Sequence, residues 1–386
     1  MLSAHSIEML QSNLPTGYLG GGKFDYFESA KRKRKSDKVR IGLLVPYSGS
    51  DAIWGPSCQY SAVLASARIN AAGGILGKEI ELFAADAGGT PDHVIPRVNE
   101  LVEKHQVDAL VGVHLSNVRV AIQDRFASEI PYVFAPQYEG GESAPGVIAI
   151  GETPIQQYGG AVRWMIQNMG ARKWYLLGND YVWPRQTHRT LKVLIREAGG
   201  EIVGEDYLPL ASTGHANSLN RIREAAPDIV FESLVGSDSV TFNQEFGVAG
   251  FSEKIMRLSG AIEENTLMGI SADNSHNLFC VSGYFNTLGT VENRAFLNEY
   301  HKAFGDTAPI QGSLSQSCYE GLFALTSLAT KVGSLKSQKI MATSKNFSYQ
   351  GARGEVRIHS DGTHMDSYLM QSNGLEYELI QTFPMI

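Results

Sequence analysis

Cysteine is scarce in this sequence. The 386 residues hold three, Cys58, Cys280 and Cys318, odd in number and far apart, which gives no basis for a disulfide framework or a CxxC metal pair. Long apolar runs are missing as well, and nothing approaches the ~20 consecutive apolar residues of a membrane span. Positive charge is not in surplus. The formal net charge is −7, which argues against a general nucleic-acid surface. The one basic run, Lys31 to Lys35, reads as a solvated tail. A secretory leader should place an apolar stretch after its positive region, yet Met1 to Tyr26 is polar and Gly-rich, and the basic run leads into Val39 to Val45, a buried-strand pattern. The expected location of the chain as it stands is the cytoplasm, or the periplasm if a leader is missing.

The motifs of catalysis are missing too. No G-x-S-x-G elbow and no HExxH pair occur. Gly77-Lys78 lacks the upstream glycine of a phosphate loop, having Ala72 there, and is followed by Glu79 where Ser or Thr is required. Glu263 and Glu264 are adjacent, so they point in different directions and do not form a catalytic dyad. A hydrolase built on Ser116 and His114 would want a third, orienting group. A non-enzyme is expected, with no cofactor and no metal.

What is present is a regular alternation. Apolar residues make up 43%, enough for a sizeable core, and the length suggests two lobes. Short Val-, Ile- and Leu-rich runs at 40–45, 79–85, 109–113, 132–135 and 147–151 enclose helical spacing over 59–70 and 94–104, the βαβ signature of a parallel sheet. The pattern restarts near Trp174 and runs to about Ser259, with helices expected over 186–198, 219–225 and 240–249. The fold class is therefore α/β, with two doubly wound parallel-sheet lobes joined by hinge strands around an interlobe cleft. We assign residues 1–38 to a polar and basic extension, 39–153 with 287–350 to lobe 1, and 154–286 with 351–386 to lobe 2.

In such sheets the carboxyl ends of the strands face the ligand crevice. Three polar and aromatic stretches fall there: His114-Leu115-Ser116, Phe134-Ala135-Pro136-Gln137-Tyr138-Glu139-Gly140 and Asn179 to Arg185. Ser116 is expected to open a helix, whose free N–H groups can hold a carbonyl or carboxylate oxygen. Tyr181 and Trp183 are two apart, so on an extended loop both face one pocket.

These segments, together with Arg40 to Gly49, Gly73 to Lys78, Val111-Gly112 and Val235-Gly236-Ser237, resemble the type I periplasmic-binding-protein superfamily from about residue 39 onward. Tyr138-Glu139-Gly140 and Asp180 to Arg185 are most similar to its amide- and urea-sensing branch, which includes regulators of amidase operons. The resemblance implies that Ser116 and the backbone of Ala135, Pro136 and Gln137 hold the ligand's polar head. Phe134, Tyr181 and Trp183 would enclose it, with Val235 and Glu263 on the opposite lobe. That branch has Tyr at 134, Thr at 136, Pro at 137 and Tyr at 183. The expected function is an amide or urea sensor that signals to a regulatory protein partner. The alternative is the solute-binding component of an ABC importer for amides, urea or branched-chain amino acids, working with a permease, in which Glu263 or Asp238 would answer an ammonium group. A homodimer is compatible with either.

Overall fold

Strand β1 (Val39–Val45) is buried along almost its whole length, because it runs through the middle of a sheet covered on both faces. Its side chains alternate between two cores: Ile41, Leu43 and Val45 join one cluster and Leu44 another. The computed structural model describes residues 37–126, 129–142 and 146–384, so most of the 1–38 extension and its basic run lie outside the described residues. In lobe 1, β1 pairs in parallel with β2 (Ile80–Asp86) and β3 (Ala109–Gly112), followed by β4 (Tyr132–Phe134) and β5 (Val147–Ala149), in the order β2-β1-β3-β4-β5. Helices α1 (Gly55–Ala71), α2 (Pro91–Asn99) and α3 (Ser116–Phe126) make the crossovers.

Lobe 2 repeats the scheme. The chain enters it through α4 (Pro154–Met169), whose start is written locally: Thr153 and Gln156 form a capping box with Pro at the first helical position, and Gly170 ends it at φ 69°. Strands β6 (Lys173–Asn179), β7 (Glu201–Leu208), β8 (Ile229–Ser233), β9 (Met256–Ser259) and β10 (Leu278–Ser282) are parallel. They alternate with α5 (Val182–Glu197), α6 (Ala216–Ala225), α7 (Gly236–Val248) and α8 (Glu264–Ile270). The chain then returns to lobe 1 as α9 (Val291–Phe304), α10 (Ser313–Val332) and α11 (Ser337–Met341). A small antiparallel sheet follows, of β11 (Phe347–Gly351), β12 (Gly354–His359) and β13 (Gly362–His364). Finally β14 (Ser367–Asn373) and β15 (Glu376–Phe383) complete the second sheet as an antiparallel edge, in the order β15-β14-β10-β9-β8-β6-β7.

The expected division at residue 351 moves. Val356 and Ile358 of β12 pack into lobe 1's core with Phe347 and Tyr349, so the return to lobe 2 comes only after β13. Sequence pattern identifies a strand but not its partner, and here the partner is the hairpin's own β11 beside α10. Three crossings therefore link the lobes, at about 150–153, 283–290 and 365–366. Glu152 on the first accepts a hydrogen bond at 2.6 Å from the Gly283 N–H on the second, tying two of them together.

Candidate functional site

Both sheets reverse strand order at an interior strand, β1 in lobe 1 and β6 in lobe 2, and the loops leaving such switch points bound the crevice. In lobe 1 these are the loop after β1, with a 3-10 turn at Ala52–Trp54, and the turn into α3. In lobe 2 they are the start of α5 and the start of α7. The two walls meet. Trp54, Leu115 and Ala135 from lobe 1 share one buried cluster with Trp183, Val235 and Ala261 from lobe 2.

Polar contacts stitch the same seam. The Ser237 N–H donates to the Ser50 carbonyl at 2.8 Å, the Ser50 hydroxyl to Asp238 at 3.2 Å, and Gln137 Nε2 to the Gly260 carbonyl at 2.8 Å. Gly236 shows how tight the approach is. A Cβ built there would lie 1.9 Å from the Ser50 carbonyl oxygen, and its φ of 50° already favours glycine.

The expected site residues divide. Ser116 begins α3 and is buried, Leu115 and Ala135 face the seam, Pro136 is buried beside them, and Gln137 reaches across to lobe 2. His114 and Phe134 do not reach the cleft. His114 turns into lobe 1, its Nε2 2.8 Å from the Tyr132 hydroxyl and Nδ1 3.1 Å from the Leu115 carbonyl, and burial pushes its pKa down to about 4. Phe134 fills the opposite core with the Arg119 guanidinium 5.5 Å from its ring centre. Side chains alternate along a strand, so Ala135 facing the cleft sends Phe134 the other way.

Tyr181 and Trp183 lie on the cleft side, but not on an extended loop. Tyr181 is extended (φ −150°, ψ −176°) as the residue capping α5, and Trp183 is already in the first turn, followed by Pro184, a place where proline is tolerated. Their ring centres are 6.3 Å apart, and Trp183 is buried. Val235 caps α7 and donates its N–H to Asn179 at 2.9 Å. Glu263 is buried but committed: it accepts from the Leu314 N–H at 2.9 Å, at the start of α10, and from Asn265 at 3.3 Å. Burial raises its carboxyl to about 7. Asp238, the other candidate for an ammonium, is held by Asn179, the Ala211 N–H and Ser50.

Other seam residues carry unfilled valences. Asp51 is fully buried, and neither of its carboxylate oxygens has a hydrogen-bond partner among the described residues; the same holds for Trp54 Nε1, Glu264 Oε2 and Thr266 Oγ1. Buried polar groups are ordinarily paired, so these atoms are available to a polar partner; others like them lie elsewhere in the chain, among them Thr187 Oγ1 and Arg257 Nε. The available signal was position: Ser50-Asp51-Ala52-Ile53-Trp54 lies in the loop that leaves the switch strand, with four residues between it and the strand's end at Val45. Beside the seam a cavity of about 520 Å³ opens between Arg119 and Gln123 of α3, the loop Glu139 to Glu142, and Val182 and Gln186 of α5. Arg119 is engaged there by both Glu139 and Glu142.

With this geometry in view, the relatives are informative. Residues 38–374 match the periplasmic binding protein family. A Leu/Ile/Val-binding protein homolog from Brucella melitensis is 22% identical over 362 residues, covering 88% of each chain. Among solved structures, an ABC-transporter solute-binding protein from R. palustris in complex with 4-hydroxybenzoate superposes with a TM-score of 0.81 at 20% identity, covering 90% of this chain and 98% of that one. A branched-chain amino acid transporter substrate-binding protein from Streptococcus pneumoniae in complex with isoleucine gives 0.77 at 20%, covering 89% and 99%. None of these three is described as an amide regulator, so the similarity favours the importer alternative over the amide sensor. The chain belongs to the periplasmic binding protein family.

Proposed function

We propose that this chain is the solute-binding component of an ABC importer, closing on a small organic molecule of amino-acid type and presenting it to a permease. The observation that carries this is the seam itself, where apolar side chains of both lobes enclose buried polar atoms that lack partners. The first turn of α3 at Ser116 offers free N–H groups to a carboxylate end. Three buried carboxyl groups belong to the seam segments, Asp51 before the Ala52–Trp54 turn and Glu263 with Glu264 at the start of α8. The nearby cation Arg119 is taken up by Glu139 and Glu142, which argues against a seat for a bare aromatic acid. In this reading the protein works in the periplasm, the second of the two expected locations, and closure of the lobes is the signal to the permease.

The test is thermal unfolding with isoleucine, leucine, 4-hydroxybenzoate, acetamide and urea, since a solute at about 100 times its Kd adds about 2.7 kcal/mol. Stabilisation by an amino acid supports the reading, stabilisation by acetamide or urea alone returns the amide sensor, and no response to any of them removes both. Two variants probe the walls by titration calorimetry with the compound that binds. Trp183→Ala removes a buried aromatic from the lobe 2 wall and is expected to cost about 2 kcal/mol, roughly thirtyfold in Kd. Gly236→Ala places a methyl against the Ser50 carbonyl and is expected to weaken binding at least about tenfold by opposing closure. Wild-type affinity in Gly236→Ala would mean that the Ser50 approach is no part of the bound state.

A further inference from the structure

We infer that Asp51 is the acceptor for a positively charged nitrogen of the solute, which makes the solute an ammonium-bearing compound and not an acid or amide that lacks one. The inference rests on the solute-binding reading above and names the chemistry of its ligand. Asp51 sits where the lobes touch: Ser50 before it is bonded to Ser237 and Asp238, and the turn Ala52–Trp54 after it packs on α7 and α8 of lobe 2. Its side chain has no solvent contact and no completed hydrogen bond among the described residues, although its own N–H and that of Gly89 lie near.

The charged groups that act on it are of its own sign. Asp86 is satisfied by the N–H groups of Tyr47 and Gly88, the Ser48 hydroxyl and Arg97 at 3.9 Å. Asp238 is satisfied by Asn179, Ser50 and the Ala211 N–H. Asp51 has near it only the N–H groups of its own residue and of Gly89, neither completing a hydrogen bond, in a place from which water is excluded. A buried carboxylate among other carboxylates is unfavourable unless a proton or a cation neutralises it, and above about pH 7 the proton is lost. The missing partner is a group with several N–H donors and a positive charge, which is what an ammonium supplies. The rings of Tyr181 and Trp183 offer faces that attract a cation as well. Glu263, offered together with Asp238 for an ammonium in the importer alternative, is instead occupied by Leu314 and Asn265.

The experiment is calorimetry on the full chain and on Asp51→Asn, with matched probes. Leucine, putrescine and choline carry a positive nitrogen; 4-methylpentanoate, which is leucine without its amine, 4-hydroxybenzoate and acetamide do not. The expected result is that at least one cationic probe binds, that the uncharged and anionic probes bind at least about a hundredfold more weakly, and that Asp51→Asn weakens the cationic probe at least about fiftyfold. The comparison of leucine with 4-methylpentanoate needs only the wild-type protein, so it decides even if the variant folds poorly. Binding of 4-methylpentanoate as tight as that of leucine, or a cationic probe held within threefold by Asp51→Asn, overturns the inference. If 4-hydroxybenzoate or acetamide binds and no cationic probe does, the inference fails while solute binding stands; if nothing binds, both fail.

Discussion

Replacing Arg353 by methionine is expected to lower the free energy of unfolding by about 3–5 kcal/mol, read as a shift of the urea midpoint. The guanidinium is almost completely enclosed. Nη2 donates to the Ser313 carbonyl at 2.8 Å and to the Ser317 hydroxyl at 2.7 Å, Nε donates to Gln316, and Nη1 lies 3.8 Å from Glu152. Glu320, equally buried, feels the same charge: burial raises its carboxyl and Arg353 pulls it back. Methionine fills a similar volume but leaves Glu152 and Glu320 in the interior without a cation, which is costly in a way that losing a surface pair is not. Glu152 also holds Gly283 across two of the three interlobe crossings, so the damage falls on the hinge as well as on the core. Adding Glu320→Gln to Arg353→Met should recover more than about 1.5 kcal/mol, because it removes one of the orphaned charges. Full additivity of the two substitutions would show that Arg353 acts by packing alone.

The two-lobe architecture was legible because interior parallel strands are buried on both faces and so appear as continuous apolar runs; β8 and β10 are buried at every position. Helix starts were less legible. Pro184 reads as loop punctuation, yet it stands in the first turn of α5, where its missing N–H has no helical partner to lose, and Trp183 is on a helix for that reason. Facing was less legible still. His114 and Phe134 were placed near the right strand ends, but a shift of one residue along a strand exchanges core for cleft, and only the pairing register decides it. Asp51 left only its position in the loop after the switch strand, since a lone acid has no periodicity and its isolation is a property of the folded surroundings. Likeness to the amide-sensing branch rested on motifs around the cleft, while ligand chemistry depends on which valences there stay unfilled.

Asp51→Asn is expected to stabilise the unliganded protein at pH 8 by an amount on the order of 4 kcal/mol and to leave it unchanged near pH 4. Burial, helped by Asp86 and Asp238 and opposed by the nearby N–H groups of Asp51 and Gly89, raises the Asp51 carboxyl from 3.8 to about 7. Between those values the folded chain binds a proton that the unfolded chain has released, so stability falls as pH rises through this window and the whole penalty is present above about pH 7. About three pK units at 1.36 kcal/mol each give the stated size. Glu263 and Glu264, raised by burial to about 7 and about 8, slope the same way, so the variant flattens the wild-type profile without abolishing the slope. Urea midpoints for both proteins across pH 4 to 8 make the comparison. A variant less stable than wild type at pH 8 would identify the carboxylate as an anchor for the Gly89 loop. A variant more stable there, and unable to bind the ammonium probe, would mean that the group which weakens the empty protein is the one the solute neutralises, and that affinity rises with pH as Asp51 ionises.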